Sequence, residues 1–233
     1  MEHIFHIKNT VQGFRGESGK YLYSLFVALK GVSNKYIRFC NHSKGKSFVE
    51  ECAHVERVFA YEFYRQWRNQ DIFNQNTSLT INAEVPKQLI DIDPCDGGHL
   101  YYPDMVLHSG QDCCKGNLII CELKRKEYIG RNRELLFDDL NKLRIYICKE
   151  TKTKAGLPDK WEPFKLGVFI MIVKETDNKE KLTMAILKKH IGPKIKKFPD
   201  EIKKKIVCVV YNGEILIYDT LYNITDTNNL LND

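Results

Sequence analysis

Two acids and a lysine on neighbouring strand-like segments are the residues of this chain best suited to chemistry. Asp104 follows Pro103 directly, and Glu122 and Lys124 close an apolar run. Buried strands seldom carry three charges, because a charge that leaves water must pair, bind a metal or change its protonation. These residues therefore predict a polar site at the ends of two strands.

Two short apolar runs, residues 105–107 and 118–121, predict the two β-strands that carry these charges. Because side chains alternate along a strand, Glu122 and Lys124 share one face, and antiparallel pairing lets Asp104 approach Glu122. Two carboxylates at one point repel each other unless a cation joins them. Mg²⁺ suits such an all-oxygen cluster, because it accepts one or two carboxylates together with waters and substrate phosphates.

The pattern Pro103-Asp104 followed by Glu122-x-Lys124 resembles the PD-(D/E)XK nuclease superfamily, which has the restriction-endonuclease-like fold. Glu122 lies 18 positions after Asp104, a separation that suits a hairpin between the two strands of the motif. The resemblance extends over roughly residues 47–173. It implies a metal-dependent nuclease that hydrolyses phosphodiester bonds of nucleic acid, with DNA favoured, Mg²⁺ as the cofactor and Mn²⁺ as a substitute.

The resemblance also implies a role for each motif residue. Asp104 and Glu122 are expected to be catalytic metal ligands, and the backbone carbonyl of Leu123 is expected to complete the metal site. Lys124 is expected to orient or activate the attacking water and to offset the charge of the phosphate. The family usually adds one more acid, from the helix that precedes the sheet.

Three glutamates are candidates for that additional acid. Glu56 and Glu62 both lie at the edge of an apolar stripe on the helix predicted over residues 47–69. We expect Glu62 to be the catalytic one, because aromatic residues flank it in the segment that should press on the sheet. Glu84, on the strand expected next, is the third candidate, although it could instead pair with Lys87 across a turn.

Each candidate also has a structural interpretation that leaves catalysis aside. Asp104 could cap a turn after the proline. Glu122 and Lys124 could form an ion pair on an edge strand, which stabilises little. The helical glutamates could face solvent. His108 shares a strand face with Asp104, and it could either touch the site or be a satisfied core histidine.

The elements that must position these residues follow from the hydrophobic pattern. Beyond those already named, we predict a strand over residues 76–85, a helix over 131–149, a strand over 165–173, a helix over about 177–190 and a hairpin over 205–219. Asp139 and Lys142 are three residues apart on the second helix, where an ordinary ion pair is the default. Asn212-Gly213 predicts a two-residue turn in the hairpin.

This order of elements predicts an α/β fold. In the terms of the resemblance, it is a restriction-endonuclease-like αβββαβ core, a mixed sheet flanked by helices, with an N-terminal addition and a C-terminal β-hairpin. We predict that residues 1–46 form an N-terminal extension packed on the core and that residues 47–233 form the nuclease-like domain. Residues 21–32 have an apolar spacing that fits either a short helix or a strand.

The charge distribution points to a polyanionic partner. The chain carries a net charge of +6, with a basic run at residues 124–126 and eight lysines in residues 188–205. Such density suits the phosphate backbone of nucleic acid, DNA in particular. A solvated surface balanced by the 30 acids of the chain is the alternative.

Length and composition set the class of protein. A chain of 233 residues that is 43% hydrophobic can bury a sizeable core. It has neither a long apolar run nor a signal peptide, which predicts a cytoplasmic protein without a membrane partner. A homodimer is an open prediction, since paired cuts in duplex DNA favour two-fold symmetry. The alternative function is a catalytically inactive nucleic-acid-binding or protein-interaction module on the same fold.

Overall fold

The structure is a computed structural model of the chain. It describes residues 17–37, 48–76, 78–83, 103–109, 116–126, 133–148, 162–173, 195–214 and 216–225. Glu84, Lys87 and the helix expected over 177–190 lie outside these ranges.

The predicted elements that fall within the described ranges occur in the predicted order, and three short helices, Asp71–Gln75, Asp200–Lys203 and Leu221–Thr225, were not predicted. They are α1 (Glu17–Gly31), α2 (Phe48–Arg68), α3 (Asp71–Gln75), β1 (Leu79–Ala83), β2 (Met105–Ser109), β3 (Asn117–Arg125), α4 (Arg133–Ile147), β4 (Leu166–Ile172), α5 (Asp200–Lys203), β5 (Ile206–Tyr211), β6 (Leu216–Thr220) and α6 (Leu221–Thr225). A short 3-10 helix, Asn34–Tyr36, follows α1. The segment 21–32, which fitted either a helix or a strand, belongs to a helix.

Six strands form one mixed sheet in the order β1-β2-β3-β4-β5-β6. β3, β4 and β5 run parallel, and the other neighbouring pairs are antiparallel. All seven residues of β4 are buried, as expected for a central parallel strand covered on both faces. The predicted α/β class with a mixed open sheet flanked by helices is confirmed.

Alternation along β3 divides the core into two layers. Ile119, Cys121 and Leu123 lie in the core cluster that contains α1 and α2. Ile120 lies in the other cluster, together with the buried leucines of α4, which are Leu136, Leu140 and Leu143. Burying one such aliphatic side chain stabilises the fold by about 1.5–3 kcal/mol, so these leucines hold α4 against the sheet.

The helices α1 and α2 pack side by side on one face of the sheet. Phe59, Phe63 and Trp67 recur every four residues on α2 and are fully buried. Leu25 of α1 joins the same core cluster, so the described part of the N-terminal region packs on the sheet. None of the described helices is both long enough and apolar enough to cross a membrane.

The hairpin of β5 and β6 is confirmed, but its connection is wider than the predicted two-residue turn. Tyr211 pairs with Leu216, which leaves four residues between the strands. Asn212 accepts a hydrogen bond through its side-chain oxygen from the backbone N–H of Glu214, at 3.0 Å. Gly213 adopts a φ of +99°, a conformation that side chains disfavour. The asparagine therefore caps a turn of its own, and the strands begin to pair later.

Candidate active site

The candidate site forms where β3 continues past the first residue of β2. Pairing between the two strands begins at Met105, whereas β3 extends to Arg125. The backbone N–H of Leu123 donates to Asp104 Oδ2 at 2.6 Å, and the N–H of Arg125 donates to Glu56 Oε2 at 3.2 Å. Two carboxylates thus accept the hydrogen bonds that a neighbouring strand would accept in a longer ladder.

The strand register brings the motif residues to one place. Met105 pairs with Cys121, and extending that antiparallel register by one residue sets Asp104 opposite Glu122. Glu122 and Lys124 lie on the same side of β3, which is the side that α4 covers. The end of β3 therefore presents an acid and a lysine next to the acid that precedes β2.

A helix on each side of the sheet completes the charge cluster. Lys124 Nζ lies 3.6 Å from Glu56 Oε1 and 3.3 Å from Asp139 Oδ2. Lys142 Nζ lies 2.8 Å from Asp139 Oδ1 and 3.5 Å from Glu122 Oε2. We name this group the carboxylate–lysine cluster; its members are Glu56, Asp104, Glu122, Lys124, Asp139 and Lys142.

The cluster is deep at one end and open at the other. Glu122 and Asp139 are 1% and 3% exposed. Lys124 and Glu56 keep 16% and 20% of their side-chain surface accessible. A ligand from solvent would therefore meet the Glu56–Lys124 pair first, with the buried carboxylates behind it.

Burial makes two of the acids hard to ionise. It raises the pKa of Glu56 to about 7, although the nearby Lys124 opposes the shift. It also raises the pKa of Asp104 to about 6, against the hydrogen bond from the N–H of Leu123. The cluster holds more carboxylates than ammonium groups, so the positive charge available does not neutralise every acid.

The same environment favours the charged form of the two lysines. Burial alone would lower the pKa of Lys124, but the carboxylates of Asp139 and Glu56 outweigh it and raise that pKa above the usual lysine value. The pKa of Lys142 is likewise raised, because Glu122 and Asp139 outweigh its burial. Both lysines are therefore cations throughout the physiological pH range.

The contacts of α2 favour Glu56 as the additional acid of the site. The sequence predicts Glu62 for this role. The Glu62 carboxylate accepts hydrogen bonds from Arg65, at 2.9 and 2.6 Å, and from Gln66, at 2.8 Å. The bond from Arg65 lowers the pKa of Glu62. Glu62 lies six positions after Glu56, about 9 Å further along the helix, where it serves the helix itself.

His108 and Arg125 have structural roles. The His108 Nε2 atom lies 2.9 Å from Asn82 Nδ2, and four strand residues, about 13 Å, separate His108 from Asp104. Arg125 is fully buried, and its guanidinium donates to the carbonyl of Ile37 at 3.2 Å through both terminal nitrogens. The basic run 124–126 is therefore not a continuous phosphate-binding patch. The alternation of side chains along a strand could have predicted this, because it places Arg125 on the face opposite Lys124.

The residues with the right chemistry for a hard cation are Asp104, Glu122 and the carbonyl of Leu123. Both backbone groups of a strand residue point to the same edge, so this carbonyl faces the Asp104 side together with its N–H. Pro103, which the register sets opposite Leu123, has no N–H to offer it. This all-oxygen donor set fits Mg²⁺. Within the described ranges, no three acidic, histidine or cysteine side chains are grouped closely enough to hold a metal by themselves.

No protein-family model, no curated protein and no solved structure matches this chain. The likeness to the nuclease superfamily thus consists of the motif residues, their spacing and the order of elements. The geometry of the carboxylate–lysine cluster is therefore the main evidence for a function.

Proposed function

We propose that this protein is a Mg²⁺-dependent nuclease that hydrolyses phosphodiester bonds of nucleic acid, with DNA favoured. The observation that carries the proposal is the convergence of Asp104 and Glu56 on the backbone of β3, beside Glu122 and Lys124. Acids with raised pKa values and a charged lysine at one accessible point are typical of sites that handle protons and anions.

The architecture supports a restriction-endonuclease-like assignment. Helix α2, the antiparallel strands β1, β2 and β3, helix α4 and the parallel strand β4 occur in the order of an αβββαβ core. In this assignment β5 and β6 extend the sheet, and α1 is an addition to it. The motif acids then lie directly before the second strand and near the end of the third, as the resemblance implies.

The oxygen ligands form the floor of the proposed site. Asp104, Glu122 and the carbonyl of Leu123 would hold Mg²⁺, which, when bound, lowers the pKa of a water and stabilises charge on the phosphate oxygens. The hydrogen bond from the N–H of Leu123 fixes the Asp104 carboxylate on the strand edge. The backbone thereby orients both the side chain and the carbonyl that act together.

Glu56 and Lys124 carry the chemistry at the open end. The Glu56 carboxylate, at the accessible end and 3.6 Å from Lys124 Nζ, is placed to accept a proton from the attacking water when the new phosphorus–oxygen bond forms and the ester oxygen leaves. Lys124 supplies a compact positive charge for the non-bridging phosphate oxygens. Asp139, at 3.3 Å from Lys124 Nζ, positions this ammonium group.

One observation favours the catalytically inactive alternative, a nucleic-acid-binding or protein-interaction module. The described lysines of the cluster each contact two carboxylates, so the cluster also resembles a buried structural ion-pair network. Structural networks perturb pKa values as active sites do. Turnover with Mg²⁺ separates the two functions, because only the nuclease consumes its substrate.

The direct test is cleavage of a panel of single- and double-stranded DNA and RNA, with Mg²⁺ and with a chelator. Asp104→Asn keeps an acceptor for the N–H of Leu123 but removes the charge, and we expect it to lower the rate about 10²- to 10³-fold. Asp200→Asn is the matched control, because Asp200 is exposed and pairs with Lys203 on α5. Parent-like cleavage by the Asp104 variant, or no cleavage of any substrate by the parent, would refute the proposal.

A further inference from the structure

The outer surface of α1 and α2 combines exposed tyrosines with basic side chains. Tyr23 and Tyr61 are the large hydrophobic residues that stand out as exposed in the described chain, at 58% and 54%. Each lies on a helix whose other face is buried in the core. An exposed tyrosine offers a flat ring of large area, whose burial against a partner is favourable.

The residues around Tyr61 form one stripe along α2. Arg57, Tyr61, Tyr64 and Arg68 follow one another at intervals of four, three and four, so they share the face turned away from Phe59. From the first to the last of them the stripe measures about 16 Å. Arg65, also exposed, borders it. We name this stripe the α2 surface.

One pair of side chains on the α2 surface already forms a contact between a cation and an aromatic ring. The Arg68 guanidinium lies over the ring of Tyr64, 5.7 Å from its centroid. It also donates to the Tyr64 hydroxyl at 3.1 Å. A cation over an aromatic face restrains both side chains. Tyr64 is half-buried and also packs against the core, so the stripe presents its restrained ring and the charge of Arg68 beside the more exposed ring of Tyr61.

The neighbouring helix α1 repeats the same composition. Its exposed side carries Tyr23 and Lys20, with the half-buried Lys30 on the same face. Among the described side chains of α1 and α2, the acids are Glu56 and Glu62; the first lies in the cluster and the second pairs with Arg65. The charged side chains described as exposed on these two helices are Lys20, Arg57, Arg65 and Arg68, all of them positive.

We propose that the α2 surface binds single-stranded DNA. Basic side chains spaced along a helix complement a chain of phosphates, and exposed rings stack on bases. Only unpaired bases offer their faces for stacking, since duplex bases stack on each other. Interleaved cations and aromatic rings therefore select a single strand over a duplex.

A membrane is a weaker match to the same surface. Helices that lie on lipid bury a face of leucine, phenylalanine or tryptophan. The described exposed faces of α1 and α2 present tyrosine as their large apolar residue, with cations beside it. Stacking on bases uses such rings fully, whereas the acyl region of a bilayer disfavours their hydroxyl groups.

The α2 surface starts next to the candidate active site. Arg57 directly follows Glu56, which accepts a hydrogen bond from the backbone of β3 and lies 3.6 Å from Lys124. A strand held along α2 would approach the open end of the cluster. The inference rests on the proposed function in this respect, because it assigns single-stranded DNA as the substrate class of that site.

The test is binding of a fluorescent single-stranded oligonucleotide by the full chain, measured by anisotropy in a chelator so that no cleavage occurs. We expect Tyr61→Ala to weaken binding about tenfold, whereas Tyr61→Phe, which keeps the ring, binds like the parent. The double variant Arg57→Gln/Arg68→Gln should lower the dependence of log affinity on log salt by about 1.4. Lys165→Gln is the control for the single variant Arg57→Gln, because Lys165 is exposed just before β4, beside the first residue of β3 and at the opposite end of the sheet from Glu56.

Competition experiments decide which partner the α2 surface takes. The inference predicts that duplex of the same sequence and vesicles containing anionic lipid both compete less well than the single-stranded DNA. Equal or better competition by either of them would overturn the assignment. So would parent-like binding by Tyr61→Ala, or an equal loss in Lys165→Gln and Arg57→Gln.

The two proposals fail in different ways. If the parent binds single strands through Tyr61 but cleaves nothing with Mg²⁺, the α2 surface stands and the nuclease proposal falls. If the parent cleaves DNA and the Tyr61 and Arg57/Arg68 variants bind and cleave like it, the nuclease proposal stands and this inference falls. Circular dichroism and thermal unfolding of each variant exclude loss of folding as the cause.

Discussion

At the residue scale, the carboxylate–lysine cluster places several charged groups where little water can reach them. Glu122 and Asp139 are almost completely buried, and each has a lysine within 3.5 Å. An ion pair in such a place contributes little net stability, because removing both charges from water costs about as much as their attraction returns. Retaining several of them at one point therefore indicates function more than stability.

The raised pKa of Glu56 predicts a stability that falls with pH in the absence of metal. A carboxyl whose folded pKa lies above its unfolded value binds extra protons in the folded state, so its stabilisation is complete below pH 4.5 and is lost as pH rises through about 7. Glu56→Gln removes this dependence and keeps an acceptor for the N–H of Arg125. In urea unfolding with a chelator, we expect this variant to gain on the parent by about 1–3 kcal/mol between about pH 5 and pH 8. A constant difference across that range would contradict the prediction.

The two aspartate–lysine pairs on α4 and α5 form a natural comparison. Lys142 and Lys203 each lie 2.8 Å from an aspartate three residues earlier, but Asp139 is 4% exposed and Asp200 is 60% exposed. Lys142→Met leaves buried carboxylates uncompensated, and we expect it to cost about 3–5 kcal/mol in metal-free protein near neutral pH. Lys203→Met should cost less, because Asp200 stays in water when the pair is lost, although Lys203 itself is buried. Equal losses in chemical denaturation would show that the cluster is solvated like a surface pair.

At the element scale, β3 is the element that organises the site. Its alternation turns Lys124 toward α4 and Arg125 toward the α1–α2 layer. Its edge supplies the N–H groups that fix Asp104 and Glu56. A helix on each side then delivers the remaining charges, so the geometry of the cluster depends on how closely both helices pack on this strand.

Gly167 tests that dependence for α4. A Cβ at this position of β4 would come within 2.7 Å of Ile147 Cδ1 and 3.4 Å of Leu143 Cβ, both on α4. We expect Gly167→Ala to displace α4 and lower the free energy of unfolding by about 1–3 kcal/mol. It should also reduce Mg²⁺-dependent cleavage, because α4 carries Asp139 and Lys142.

Gly31→Ala is the matched control for that prediction. Its added Cβ would also meet the end of a side chain at 2.7 Å, but Gln66 is half-buried and can move aside, whereas Ile147 is held in the core. Near-parental stability and cleavage are expected, because alanine also favours the helix at the end of α1. If Gly167→Ala behaved like this control in unfolding and cleavage, close packing of α4 would not be what maintains the site.

The site could be predicted from sequence where it depends on strands that are neighbours along the chain. Apolar runs and a proline placed Asp104 beside Glu122 and Lys124, because a hairpin register needs no distant information. Glu56 and Glu62 could not be separated, since both border the same apolar stripe. Which of them reaches β3 depends on how α2 lies along the sheet, and helical periodicity does not contain that.

At the scale of the whole molecule, the order of helices and strands could be predicted from the sequence. The contacts between elements far apart in the chain could not. Apolar runs predict the buried strand at 165–173 and the hairpin at 205–219, and β4, β5 and β6 lie in those segments. The ion pairs expected on α4 exist, but Asp139 also contacts Lys124, which a helical repeat alone does not predict. Contacts of this kind arise only when the layers assemble on the sheet.

The distribution of charge changes meaning once the fold is known. Arg125 and Lys203, counted from sequence among the phosphate-binding residues, are buried. The sequence does not predict a basic surface on α1 and α2, because the exposed cations there are dispersed along helices rather than clustered in sequence. A net charge of +6 therefore does not by itself locate a surface for an anionic partner.

The most direct test of the account is a crystal structure of the protein soaked with Mn²⁺, located by its anomalous scattering. The account predicts a peak about 2.0–2.2 Å from oxygens of Asp104 and Glu122 and from the carbonyl of Leu123. It also predicts that Lys142 Nζ moves away from its 3.5 Å contact with Glu122. A structure at saturating Mn²⁺ with no peak in the carboxylate–lysine cluster, and with both lysines still paired as they are, would contradict the central claim.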